Sequence, residues 1–228
     1  MMPLPRHTLC WLESSALEPL AKTLEETFHS LPPALQRAAC EYLLSGSLPG
    51  IVRRGVHAAG TIPLGFCFPL RWQGNRLRLA VEVPETAVIR YAAPEQTASM
   101  PVGDSTGATR AFNALRQSWR WPELRLGVWG SVALEIVTPW LWTDSHSDLD
   151  ILLVPHSFNK LAQCQETLCK LEQQYQLRID GEIHLSNGYA INIKEWFSGS
   201  STLLAKSNID VRLMTRQSVV ELSKTSIH

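Results

Sequence analysis

A glycine–serine pair followed by two aspartates on an apolar run constrains this chain more than any other stretch. Residues 126–129 predict a short strand that stops at Gly130, and residues 132–142 predict a helix that begins shortly after it. Residues 148–154 carry the two aspartates on an otherwise apolar run between a polar loop and a proline, which is typical of a buried strand. We therefore expect a strand–helix–strand unit here.

Asp148 and Asp150 are the first candidates for a metal site. Side chains alternate along a strand, so these two carboxylates point the same way while Leu149 and Ile151 pack on the other face. Carboxylates at the end of a buried strand need a cation to compensate them. Mg²⁺ binds through one or two carboxylates and completes its coordination with substrate phosphates and water. The pattern therefore predicts a site for Mg²⁺, with Mn²⁺ as the other possible ion.

Gly130 and Ser131 are the candidates for binding phosphate. Glycine lets the backbone approach a phosphate closely, the serine adds a hydroxyl, and the N–H groups of a helix's first turn favour an anion. The segment between Ser131 and Asp148 is long, so we expect the loop 143–147 to extend over the site. A phosphate clamp beside metal-binding carboxylates predicts phosphoryl or nucleotidyl transfer.

A later hairpin supplies candidates for a third carboxylate, which transfer by two metal ions requires. Residues 177–185 alternate between apolar and polar side chains, a turn follows at 186–188, and residues 189–193 predict the return strand. Asp180 and Glu182 lie on one face of the first strand. The sequence does not separate them, and Asp180 is our first choice.

Charge and composition exclude several classes of protein. Among 228 residues, 21 basic and 21 acidic side chains give a formal net charge of zero, which argues against an enzyme that holds a long nucleic acid. No apolar stretch is long enough to span a membrane, and the N-terminus has no apolar signal-peptide core. The five cysteines lack metal-type spacing. We expect reduced thiols in a cytoplasmic protein.

The composition changes once along the chain. From residue 92 to residue 107 it shifts to Pro, Ser, Thr, Gly and Ala, with few large apolar side chains. Such a segment is typical of a connection between domains. We therefore predict an N-terminal α+β domain over residues 1–95, a linker over 96–107 and a catalytic domain over 108–228.

The glycine–serine pair and the Asp-x-Asp strand resemble the nucleotidyltransferase superfamily of DNA polymerase β. A more specific resemblance rests on motifs that occur in order over nearly the whole chain, at residues 7–12, 52–54, 62–65, 129–131, 147–150, 180–182 and 192–196. Together they resemble the malonate decarboxylase holo-acyl-carrier-protein synthases, also called phosphoribosyl-dephospho-CoA transferases. The resemblance implies an α+β fold: a polymerase-β-like core with a mixed sheet flanked by helices, and a smaller N-terminal α+β domain that binds the substrate or the carrier.

The resemblance also implies a reaction. The family transfers 2'-(5''-triphosphoribosyl)-3'-dephospho-CoA to a serine of the apo acyl carrier subunit of malonate decarboxylase and releases pyrophosphate. Asp148 and Asp150 would bind Mg²⁺ at the triphosphate, and a second ion shared with Asp180 or Glu182 would activate the serine hydroxyl. No covalent enzyme nucleophile is needed, because such chemistry depends on positioning and charge neutralisation.

Four cations are candidates for contact with the anionic donor: Lys206, Lys194, Arg53 and Arg54. Residues 204–206 resemble the lysine-bearing segment of the family. Arg53 and Arg54 are adjacent, so on a strand only one of them faces a given site. For each cation taken singly, a solvated surface position is the alternative.

Other functions stay open at this point. A nucleotidyltransferase for another small molecule or protein would share the same catalytic core, although the N-terminal motifs argue against it. A nucleotide-binding module without catalysis would not need all of its carboxylates. A structural subunit of the decarboxylase complex would bind its partner tightly and stoichiometrically.

Overall fold

The computed structural model describes residues 4–225 and divides after Ala93 into two compact units. The first unit forms β1 (Leu9–Leu12), α1 (Ser14–Thr27), α2 (Pro33–Leu44), β2 (Gly50–Val52), β3 (Thr61–Trp72), β4 (Asn75–Pro84) and β5 (Val88–Ala92). Its strands form an antiparallel sheet in the order β4-β3-β2-β1-β5.

One face of this sheet is covered by the two helices. Along β4 the side chains alternate, with Leu77, Leu79 and Val81 buried and their neighbours largely solvent-exposed. This alternation is typical of an antiparallel sheet with one wet face. Leucines at helical spacing bury the matching stripe of α1, and α2 begins with Pro33, whose fixed φ suits a first helical position.

The second unit contains the predicted site. Its elements are α3 (Pro94–Ala98), α4 (Gly107–Ser118), β6 (Leu124–Trp129), α5 (Gly130–Val137), β7 (Leu149–Pro155), α6 (Leu161–Tyr175), β8 (Ile179–His184), β9 (Ala190–Asn192), α7 (Ile193–Phe197), β10 (Thr202–Lys206), β11 (Val211–Thr215) and α8 (Arg216–Thr225). They include a mixed sheet in the order β11-β10-β9-β8-β7-β6.

One pair of neighbouring strands in this sheet, β7 and β8, is parallel, and the other pairs are antiparallel. Parallel strands require a crossover connection, and α6 supplies it. Consecutive apolar residues of β7 are almost fully buried, including Ile151, Leu152 and Leu153, because both α4 and α5 pack against this strand. The predicted α+β fold with a mixed, helix-flanked sheet is confirmed.

Two predicted boundaries differ from the structure. The helix predicted over residues 132–142 is α5, which begins at Gly130 and ends at Val137. Thr138 accounts for the early end, because its backbone is extended and its hydroxyl donates to the Leu134 carbonyl at 2.8 Å. The following residue is a proline, which has no N–H to continue the helix.

The predicted linker is the second difference. Its first residues belong to α3 in the second unit, with Thr97 and Ala98 buried. Pro94 lies so close to β6 that a Cβ on Gly127 would meet the proline Cβ at 2.8 Å. The first three residues of the predicted linker therefore belong to a packed helix, while residues 99–106 form no helix or strand.

Among residues 4–225, no helix combines the length and the apolar character needed to cross a membrane. The cysteines form no disulfide. Burial raises the pKa of Cys10 and of Cys164 to about 12, so neither thiol ionises near neutral pH.

Candidate active site

Three aspartates meet at the start of the parallel strands β7 and β8. Asp150 on β7 pairs in register with Asp180 on β8, so their side chains leave the same face of the sheet next to each other. Asp148 directly precedes β7 and points the same way along the alternation. Strand pairing thus brings together the three carboxylates that the sequence predicted as metal ligands.

An arginine occupies the space between two of these carboxylates. The Arg178 Nη2 atom lies 3.0 Å from Asp148 Oδ2 and 2.7 Å from Asp180 Oδ2. Among residues 4–225, no three acidic, histidine or cysteine side chains are arranged to hold a metal ion as they stand. The chemistry of the three carboxylates nevertheless fits Mg²⁺, a hard cation that prefers oxygen ligands.

Asp150 is the most perturbed carboxylate of the group. Its pKa is raised from 3.8 to about 7, first by burial and then by the negative charges of Asp180 and Asp148, while Arg178 acts in the opposite direction. A carboxylate with this pKa binds a proton readily when no other cation compensates it. Such a shift in a cluster of like charges is typical of a functional site.

Position 130 requires a glycine because the Asp150 side chain lies directly against it. Trp129 pairs in register with Asp150 across β6 and β7, which places the next residue directly beside the carboxylate. Gly130 has φ +68°, and a Cβ at this position would collide with the Asp150 side chain. Ser131 follows, half-buried, in the first turn of α5.

Glu182, the alternative third carboxylate, lies one side-chain repeat further along β8. It is 7% exposed and pairs in register with Leu152, whereas Asp180 pairs with Asp150. The Lys206 Nζ atom lies 3.8 Å from Glu182 Oε1. The register places Asp180 directly opposite Asp150 and Glu182 one pair further along, although the charge of Glu182 also acts to raise the pKa of Asp150.

The remaining predicted cations have other surroundings. The Lys194 Nζ atom lies 2.6 Å from Glu172 Oε1, an oxygen that also accepts the Ile179 N–H at 2.7 Å. Arg53 and Arg54 are exposed residues of the first unit, immediately after β2. Arg53 donates a hydrogen bond to the backbone carbonyl of Arg54 at 3.4 Å.

A polar cavity of about 630 Å³ adjoins Asp148. Its lining includes Asp148 and Arg178, the loop residues Ser145 and His146, and polar side chains from the end of α6. The predicted loop 143–147 thus contributes to this cavity.

Sequence reasoning missed Glu135, which anchors the loop before Asp148. Its carboxylate accepts hydrogen bonds from the Trp142 N–H (2.9 Å), from the Thr143 N–H and hydroxyl (both 2.7 Å) and from the Ser105 hydroxyl (2.9 Å). Burial acts to raise the pKa of Glu135, but these hydrogen bonds outweigh it and hold the pKa below its ordinary value. An acidic residue inside an otherwise apolar helix was the available signal.

Sequence reasoning also missed Arg178. It stands two residues before Asp180 and therefore leaves the strand on the same face, which was the signal available.

Clustered carboxylates on adjacent strands, beside a glycine-led helix start and a polar cavity, are the arrangement expected of an α+β group-transferring enzyme. Family models agree with the division of the chain. Residues 5–94 match the phosphoribosyl-dephospho-CoA transferase MdcG N-terminal domain, and residues 96–217 match the C-terminal domain of the same family. The chain belongs to the phosphoribosyl-dephospho-CoA transferase family, and the resemblance inferred from its motifs is confirmed.

Curated relatives carry the same description. The phosphoribosyl-dephospho-CoA transferase of Xanthomonas euvesicatoria pv. vesicatoria is 29% identical over 92% of this chain and 94% of its own. That of Pseudomonas syringae pv. tomato is 29% identical over 82% and 86%, and that of Azotobacter vinelandii is 30% identical over 77% and 82%. No solved structure matches the chain. Membership indicates a transferase of a phosphoribosyl-dephospho-CoA group.

Proposed function

We propose that this protein transfers 2'-(5''-triphosphoribosyl)-3'-dephospho-CoA to a serine of the apo acyl carrier subunit of malonate decarboxylase, releasing pyrophosphate by metal-assisted nucleotidyl transfer. The observation that carries the proposal is the register of Asp150 beside Asp180, with Asp148 adjoining, in a chain of the phosphoribosyl-dephospho-CoA transferase family. We assign the second unit to the polymerase-β-like nucleotidyltransferase fold, and the reaction to the cytoplasm.

Asp148, Asp150 and Asp180 would hold Mg²⁺, or Mn²⁺ in its place. When bound, the ion neutralises charge on the triphosphate and lowers the pKa of the incoming serine hydroxyl. The serine oxygen bonds to the α-phosphorus, the bond from that phosphorus to the pyrophosphate oxygen breaks, and water takes up the serine proton. Glu182 lies two residues beyond Asp180 on β8, and the Lys206 Nζ atom lies 3.8 Å from its Oε1 atom.

The chain's other residues bind and position the donor in this proposal. Gly130 leaves room for the Asp150 carboxylate, and Ser131 with the first N–H groups of α5 binds the pyrophosphate end. Lys206 and Lys194 contribute positive charge in the second unit. Arg53 and Arg54 contribute it in the first unit, which binds donor or carrier.

The test is intact-mass spectrometry of the apo carrier subunit after incubation with this protein, the triphosphoribosyl donor and Mg²⁺. We expect a mass gain equal to the phosphoribosyl-dephospho-CoA group, which is lost with a chelator and with Asp150→Asn. Glu166→Gln, a change at an exposed position of α6, is the matched control and keeps full transfer. A mass gain with ATP in place of the donor, or full transfer by Asp150→Asn, would refute the proposal.

A further inference from the structure

Arg178 is held by charge and not by packing. Its side chain is 61% exposed, yet its guanidinium forms ion pairs with both Asp148 and Asp180. Because a side chain this exposed makes little buried contact, it can leave the two carboxylates at a small cost in packing. The same carboxylate oxygens are those that a divalent ion would bind.

The cavity that Asp148 lines is also open to the Arg178 side chain. Arg178 already lines this space, and it is the one permanently cationic residue among the described residues that do so. The acidic residues in the lining are Asp148 and Glu172, and Glu172 is paired with Lys194 and the Ile179 N–H. A phosphate that entered the cavity would meet a guanidinium, whose planar fork matches phosphate oxygens.

We propose that Arg178 is a donor-binding residue that exchanges partners: it neutralises Asp148 and Asp180 in the metal-free protein, yields them to the divalent ion, and then binds a phosphate of the donor in the cavity. The inference rests on the proposed function, since it takes the three aspartates as the metal site. The guanidinium and a metal ion compete for the Oδ2 atoms of Asp148 and Asp180, so binding of one displaces the other. A phosphate of the donor then stabilises the displaced Arg178 guanidinium in the cavity.

The experiment measures two affinities for Arg178→Met, which keeps the apolar stem and removes the charge. The first is Mn²⁺ binding without donor, followed by electron paramagnetic resonance. The second is pyrophosphate binding at saturating Mn²⁺, followed by calorimetry. Losing the competing cation should tighten Mn²⁺ binding about tenfold, as expected for two exposed ion pairs. Losing the phosphate contact should weaken pyrophosphate binding about tenfold or more.

Two further variants make the result specific. Arg125→Met removes an arginine of β6 that is 56% exposed and lies 3.8 Å from Glu95, and we expect it to leave both affinities unchanged. Arg178→Lys keeps the charge without the fork, so Mn²⁺ affinity should stay near that of the wild type while pyrophosphate affinity falls. Its folding is easier to preserve than that of Arg178→Met.

The outcomes separate this inference from the proposed function. The exchange is overturned if Arg178→Met binds Mn²⁺ no more tightly than the wild type, or if it binds pyrophosphate with unchanged affinity. Binding of Mn²⁺ by the wild type would still support the proposed metal site in that case. Absence of Mn²⁺ binding by the wild type, or its survival in Asp150→Asn, overturns the proposed metal site and the exchange together.

Discussion

Asp150→Asn should stabilise the metal-free protein at alkaline pH while it abolishes transfer. The folded protein raises the pKa of Asp150 from 3.8 to about 7, chiefly through burial and then through Asp180 and Asp148. A folded-state pKa above the unfolded value means that the unfolded chain binds fewer protons between these two pH values. Stability therefore falls as the pH rises from about 4 to about 7.

The size of the effect follows from the shift. At about 1.4 kcal/mol for each pKa unit, the rise from 3.8 to about 7 amounts to roughly 4 kcal/mol of lost stability at pH 8. This is an upper limit, because neighbouring side chains relax around the charge. Asparagine carries no charge at any of these pH values, so the variant escapes the loss. At pH 5 the loss is smaller, roughly 2 kcal/mol, because the folded carboxyl is then protonated while that of the unfolded chain is already ionised. The advantage of the variant should therefore be smaller at pH 5 than at pH 8.

The assay is urea unfolding of wild type and Asp150→Asn at pH 5 and pH 8 in chelator-treated buffer. Glu166→Gln, at an exposed position of α6, serves as the charge-matched control and should change stability by less than about 0.5 kcal/mol at either pH. The reasoning is refuted if Asp150→Asn has no greater advantage over the wild type at pH 8 than at pH 5. Added Mg²⁺ should stabilise the wild type at pH 8 and leave the variant unchanged.

Three further predictions concern the surroundings of the aspartates. Gly130→Ala should lower the free energy of unfolding by about 1–2 kcal/mol, because its backbone is left-handed, and should lower kcat about 100-fold by displacing Asp150. Gly188 also has a left-handed backbone, at φ +81°, but open space around it. Gly188→Ala should therefore show only the stability loss in urea unfolding. Glu135→Gln should lower the free energy of unfolding by about 1–3 kcal/mol at pH 7, because an amide replaces a carboxylate that accepts four hydrogen bonds. An unchanged midpoint of urea unfolding would contradict this. Lys206→Met should raise the KM for the donor about tenfold with a smaller change in kcat, as expected for the loss of one charged contact. An unaltered KM would show that Lys206 is not part of the donor-binding site.

Local patterns predicted the two strands that carry the aspartates well. The apolar run of β7 and the alternation of β8 follow from short-range periodicity, so their positions agreed to within a few residues. The same alternation placed Asp148 with Asp150 and Asp180 with Glu182. Both pairs could be named from the sequence because the strand period is local information.

Those local patterns could not predict the register between neighbouring strands. The choice between Asp180 and Glu182 depends on which residue of β8 stands opposite Asp150, and neither strand's sequence states this. The ion pairs of Arg178 depend on the same register. The role of Glu135 was hidden for a related reason, because its partners lie on segments up to 30 residues away.

The N-terminal boundary shows how composition can mislead. Small and polar residues after residue 92 predicted a linker, yet α3 packs against β6, where Gly127 leaves just enough room for Pro94. Small residues permit both flexibility and close approach. Tertiary packing decides between the two.

Anomalous diffraction from crystals grown with Mn²⁺ and pyrophosphate tests the central claim most directly. We predict an anomalous peak at bonding distance, about 2.1 Å as for Mg²⁺, from carboxylate oxygens of Asp148, Asp150 and Asp180, with pyrophosphate completing the coordination. A peak at another place in the molecule, with Arg178 still paired to Asp148 and Asp180, would contradict the account.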